Sequence, residues 1–184
     1  RWEDFTSGDL VRYIDANFRT LASRDSRGVA GHSMGGYGTL KLVMKHSDIF
    51  SAGYAMSPAS FDWVKDWTSD NVAFRQVLSL TKLPELKDEN IYPLAIICVA
   101  QAFSPNRNKA PFYADFPFRQ EGKIMVPNGS AFERFEAEFP INLALKYAAN
   151  LRSLTRLKLD AGKEDQYAFI PEATSRLSDR LRSL

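Results

Sequence analysis

Residues 31–36 read Gly31-His32-Ser33-Met34-Gly35-Gly36, and their flanks restrict the chain more than any other segment. Arg27-Gly28-Val29-Ala30 before them is short and apolar enough for a buried strand. Tyr37-Gly38-Thr39-Leu40-Lys41-Leu42-Val43-Met44 after them reads as a helix. A strand that turns sharply into a helix must place the residue at the turn in a conformation most side chains avoid. A glycine-flanked serine at that point is lifted clear of the sheet. Gly31 and Gly35 are expected to be small because a side chain would meet the neighbouring strand or helix. Gly36 and Gly38 are expected to let the helix lie close to the sheet. Each glycine inside the helix costs about 1 kcal/mol relative to alanine, which argues for a geometric purpose.

The rest of the chain supplies a frame for that turn. Thr6-Ser7-Gly8-Asp9 reads as a helix start, followed by Leu10, Ile14, Phe18 and Leu21 on one expected buried face. A strand is expected over Ile49–Met56, ended by Ser57-Pro58. Strand, helix and strand in this order make a βαβ unit and a parallel sheet. Weak helical patterning follows around Val72–Leu80. A proline- and aromatic-rich stretch, 103–129, is long for a loop and reads as part of an insertion of about 60–129 over the active-site face. A helix is expected over Pro140–Leu151, a strand over Thr155–Asp160, and a closing helix over Gln166–Leu184 carrying Leu177, Leu181 and Leu184. The expectation is one domain over 1–184, of α/β class, with a mostly parallel sheet in a three-layer sandwich.

Bulk numbers exclude some functions. Of 184 residues, 24 are Lys or Arg and 22 are Asp or Glu, with no basic cluster, so nucleic acid is not an expected partner. The apolar run Leu94–Ala100 is too short to span a bilayer, and no membrane association is expected. Cys98, the single cysteine, leaves no intrachain disulfide and reads as a small buried hydrophobe, with the compartment left open. Two histidines and one cysteine, widely spaced, form no ligand cluster, so no metal and no cofactor are expected. Trp63, Trp67 and Phe112–Phe118 fit either the core of the insertion or the lining of an acyl or aryl pocket.

The chemistry suggested is acyl transfer through Ser33. A serine hydroxyl needs a base to become a nucleophile, and an acid to orient that base. The strand–serine–helix arrangement is the nucleophile elbow of α/β-hydrolases, with the backbone N–H of Met34 pointing at the oxyanion of an acyl intermediate. The acid should follow a later strand. In Leu159-Asp160-Ala161-Gly162-Lys163-Glu164-Asp165 the preferred acid is Asp165, on the loop. Asp160 is expected to make structural hydrogen bonds, and Glu164 is the reserve. Neither histidine suits the base: His32 sits beside the serine and is expected to pack beside the site. His46 lies at the far end of the helix, roughly 20 Å away.

Three blocks, Gly31-His32-Ser33-Met34-Gly35-Gly36-Tyr37-Gly38, Lys45-His46-Ser47-Asp48-Ile49-Phe50 and Met56-Ser57-Pro58, resemble the Putative esterase family of α/β-hydrolases. That group includes S-formylglutathione hydrolases of the esterase D type, feruloyl esterases and mycolyltransferases. Phe103-Ser104-Pro105-Asn106 and Asp160–Gln166 are also similar to segments of bacterial members. The resemblance implies Ser33 as nucleophile, Met34 as an oxyanion donor through its N–H, Asp165 as triad acid and a structural His46. It also implies further strands before the first helix, and a later segment carrying the catalytic histidine. The function expected is a serine carboxylic-ester hydrolase acting on a small-molecule ester. The alternatives are an inactive α/β-hydrolase-like binding domain, since no triad histidine is present, or an acyltransferase of the same fold.

Overall fold

The computed structural model describes residues 2–83 and 90–184. It divides into two compact units, 1–61 with 140–184 and 62–139. The first holds a parallel sheet of β1 (Gly28–His32), β2 (Ala52–Met56) and β5 (Arg156–Asp160) in the order β1-β2-β5. The register aligns His32, Met56 and Asp160, so the three strands end at one level. The class expected from the βαβ pattern is therefore present: α/β, built on a parallel sheet.

Helices cover one face of this sheet. They are α3 (Met34–Lys45), α7 (Pro140–Lys146), α8 (Ala148–Arg152) and α9 (Phe169–Arg182). Leu40, Met44, Ala55, Leu143, Ala144 and Leu177 are buried together there, with Leu157 and Leu159 of β5 and Leu181 and Leu184 against them. Leu42, Val43 and Phe50 form an adjoining cluster with Val29. Strand alternation puts the other residues on the opposite face, where Ala30, His32, Lys158 and Asp160 are exposed. Gly53 marks a close contact between sheet and helix. A Cβ there would lie 2.9 Å from Val43 Cγ1 and 3.2 Å from Leu157 Cδ1.

The N-terminal helix differs from its sequence reading. It begins upstream, as α1 (Trp2–Asp4), a π-helical turn over Phe5–Asp9 and α2 (Leu10–Asn17). No residue of α2 is buried, and Leu10, Phe18 and Leu21, expected on a buried face, are exposed. The helix stops at Phe18, whose backbone is extended, so Phe18 and Leu21 leave the helical stripe. The segment is tied down by charge instead: Asp15 pairs with Arg27, and Glu3 with Lys45 and His46. The helix expected over 140–151 is broken at Tyr147 into α7 and α8.

The second unit contains α4 (Val72–Ser79), α5 (Tyr92–Phe103), the hairpin β3 (Phe118–Glu121) and β4 (Ile124–Pro127), and α6 (Gly129–Ala137). The side chain of Asn71 accepts a hydrogen bond from the Ala73 N–H and caps α4. Gly122, at φ 59°, supplies the left-handed residue that a two-residue hairpin turn requires. The core is aromatic. Trp63 packs on Phe118, Phe132 and Phe139, each with ring centroids 4.9 Å away, and Trp67 meets Phe74 at 5.5 Å. Phe112 and Phe118 are buried too, so these aromatics act as the interior of the unit. Lys109 holds the carboxyl of Asp115 below the usual carboxylate range against the opposing effect of burial, with Asn106 and Arg134 adding to it.

Cys98 is exposed, contrary to expectation. The apolar run that holds it is helical. Ile96, Ile97, Val99 and Ala100 are buried on one arc of α5, and 100° per residue turns Cys98 to the opposite arc. Among the described residues no helix is long and apolar enough to cross a membrane.

Gly53→Ala should lower the unfolding free energy by about 1–3 kcal/mol in urea titrations, through overpacking against Val43. Gly38→Ala, where a Cβ meets nothing within 4 Å, should raise it by about 0.5–1 kcal/mol. A Gly53→Ala that leaves stability unchanged or raises it, or a Gly38→Ala that lowers it as much, would refute this packing.

Candidate active site

Ser33 sits between β1 and α3, at φ 56° and ψ −116°. Such a left-handed conformation costs a non-glycine residue on the order of 1–3 kcal/mol, and persists only where its surroundings enforce it. They do so through three backbone bonds. The Ser33 N–H donates to the Met56 carbonyl at 3.0 Å. The Ser33 carbonyl accepts from the N–H groups of Tyr37 at 3.1 Å and Ala59 at 3.0 Å. Sterics close the turn: a Cβ on Gly31 would lie 2.2 Å from the Gly35 carbonyl oxygen, and one on Gly36 would lie 2.8 Å from Pro58 Cα.

The glycine reading needs correction at two positions. A Cβ on Gly35 or on Gly38 meets nothing within 4 Å. Gly35 matters through its backbone, which approaches Gly31, and Gly38 points to open space. Gly53, in β2, carries the close helix–sheet approach expected of Gly38.

Ser33 is half-buried and, among the described residues, its hydroxyl has no hydrogen-bond partner. It stands at the N-terminus of a twelve-residue helix, whose first amides, beginning with that of Met34, have no intrahelical acceptor. That end carries partial positive charge and favours a developing anion. The Met34 side chain is 54% exposed beside it.

Asp165 lies on the loop between β5 and α9. Its N–H donates to the Gly162 carbonyl at 3.3 Å and its Oδ1 accepts from the Tyr167 N–H at 3.0 Å, which fixes the loop as a compact turn. Ser33 and Asp165 thus leave the same edge of the sheet, from strands two places apart, about 10 Å at ordinary strand spacing. Asp160 is still in the strand. Its carboxylate accepts from the Tyr54 hydroxyl and faces Lys158 at 3.8 Å, a structural set of partners. Glu164 is exposed.

The structure brings one histidine, His32, to this edge, as the last residue of β1. Its side chain is exposed on the uncovered face of the sheet, where packing beside the site was expected. His46 lies past the end of α3, roughly 18 Å along the helix, with its Nε2 3.0 Å from Glu3 Oε1. Burial works against the charge on Glu3, but hydrogen bonds from Lys45 and His46 outweigh it and hold the carboxyl below its ordinary value of 4.5. The sequence reading missed Pro58 and Ala59 as parts of the site. The signal in the sequence was Ser57-Pro58, read as the end of a strand and as part of the Met56-Ser57-Pro58 block of the family resemblance.

A depressed carboxyl contributes stability above its ordinary value, and that contribution is lost as pH falls through the lowered one. The difference in melting temperature between the wild type and Glu3→Gln, present at pH 7, should therefore shrink as pH falls below 4.5. A difference that grows in acid would contradict the pairing.

Two proteins of Mycobacterium tuberculosis match part of the chain: Esterase MT1326 of strain CDC 1551 / Oshkosh and Esterase Rv1288 of strain ATCC 25618 / H37Rv. Each is 44% identical over 73 residues, 37% of this chain and 16% of its own length. A solved ferulic acid esterase superposes with a TM-score of 0.54 at 19% identity, covering 100% of this chain and 49% of that one. The superposition supports the α/β-hydrolase fold, and this chain spans a small part of those relatives and about half of that neighbour. The family model described as Putative esterase matches residues 1–169, the elbow and the Asp165 loop included, and the chain belongs to that family.

Proposed function

We propose that this chain carries the nucleophile and acid of a serine carboxylic-ester hydrolase acting on a small-molecule ester. The observation that carries the reading is Ser33 at φ 56° and ψ −116°, at the head of α3, with a hydroxyl that has no hydrogen-bond partner among the described residues. Family membership supports ester hydrolysis as the reaction class.

In this reading the Ser33 hydroxyl attacks the acyl carbonyl and the Met34 N–H takes up charge on the oxyanion. The serine proton passes to a histidine oriented by Asp165, and the same histidine returns it to the leaving alcohol. Water then attacks the acyl-enzyme and releases the acid. Neither His32 nor His46 is placed for that role, so this reading requires a histidine other than these two. The missing histidine equally favours an inactive domain of the same fold that binds a ligand, and the experiment separates the two. The name of the structural neighbour makes aromatic acyl esters such as ferulates the first substrates to try.

A fluorophosphonate probe should label the natural protein at Ser33 and leave Ser33→Ala unlabelled. Asp165→Asn should keep its fold and lose on the order of 10⁴-fold in kcat, as expected where an orienting acid is neutralised. An unlabelled wild type beside a labelled control hydrolase would establish the inactive reading.

A further inference from the structure

We propose that the turn Met56–Ala59, at the end of β2, is a positioning device that sets Ser33 against the acid strand; the proposal rests on the reading of Ser33 as nucleophile and Asp165 as acid. The turn holds both backbone polar groups of Ser33. The Met56 carbonyl accepts from the Ser33 N–H and the Ala59 N–H donates to the Ser33 carbonyl, each at 3.0 Å. On its other side the Ser57 N–H donates to the Asp160 carbonyl at 2.8 Å. Asp160 is the last residue of β5, where the loop to Asp165 begins. Four consecutive residues therefore grip the nucleophile on one strand and the root of the acid loop on another.

The grip is strained and closely fitted. Ser57 is at φ 37°, so a second serine in the left-handed region lies across two hydrogen bonds from the first. Pro58, whose ring fixes its φ, backs onto Gly36. A Cβ at Gly36 would come within 2.8 Å of Pro58 Cα and 3.2 Å of the Met56 carbonyl oxygen. Packing of the helix end alone requires neither the left-handed Ser57 nor the bond from Ala59 to Ser33. Both follow if the turn fixes where the Ser33 hydroxyl stands.

Gly36→Ala and Pro58→Gly disturb the contact from opposite sides, and Gly38→Ala, on the same helix with open space around it, is the control. The natural protein and each variant are compared by kcat and KM on a soluble aryl ester, by fluorophosphonate labelling rate and by thermal melting. Gly36→Ala and Pro58→Gly should each lose about tenfold or more in kcat and labelling rate while remaining folded, as small misplacements of a reacting group do. KM should stay within about twofold, and Gly38→Ala should keep the wild-type rate. Wild-type kcat in either folded variant of the Pro58 contact overturns the proposal, as does a rise in KM equal to the loss in kcat. Should Pro58→Gly fail to fold, Pro58→Ala, which frees the fixed φ while keeping a Cβ against Gly36, carries the same expectation and the same refutation. A wild type that is itself unlabelled refutes the nucleophile reading and takes the role of the turn with it.

Discussion

The left-handed conformation of Ser33 is the constraint on which the candidate site depends. A serine does not hold φ 56° unaided. Gly31 must lack a side chain because its Cβ would strike the carbonyl of Gly35 one turn later. The strand must end at His32 so that the Ser33 N–H meets Met56, and the helix must begin at Met34 so that Tyr37 reaches the Ser33 carbonyl. Sheet register, helix start and glycine placement all follow from one backbone geometry.

That geometry also explains the division of labour in the sheet. Its helix-covered face is apolar and close-packed, with Gly53 admitting Val43 and Leu157. Its edge, where β1, β2 and β5 end level, gathers the candidate site: a serine after the first, the Met56–Ala59 turn after the second and the Asp165 loop after the third. In a parallel sheet all strand ends of one polarity gather at one edge, so groups distant in sequence meet without long connections. The second unit is a separate problem in packing, solved by a cluster of aromatic rings around Trp63.

Much of this was legible in the chain. β1 falls on the residues read as a strand, and the elbow, α3 and the loop holding Asp165 follow from local patterns that tertiary contacts do not override. Other features depended on information the sequence does not display. The role of each glycine turned on which neighbour its Cβ would meet: Gly35 and Gly38 face open space, and Gly53, unremarked, faces Val43. Leu10, Phe18 and Leu21 show a helical period, yet the helix ends at Asn17 and is anchored by Glu3 and Asp15 through ion pairs. Cys98 looked buried because its run is apolar, but a helix buries only an arc. The hairpin at 118–127 rests on a two-residue turn at Gly122, a weak signal within a proline-rich stretch. The bond from Ala59 to Ser33 joins residues on different strands, and nothing local announces it.

The central claim is that Ser33 forms a covalent bond to the acyl group during turnover. The most direct measurement is mass spectrometry of peptides from the natural protein, acid-quenched in the first turnovers of an activated aryl ester. One acyl group on the peptide carrying Ser33, and on no other, is the predicted result. Turnover with Ser33 unmodified, or with the acyl group on a different residue, would contradict the account.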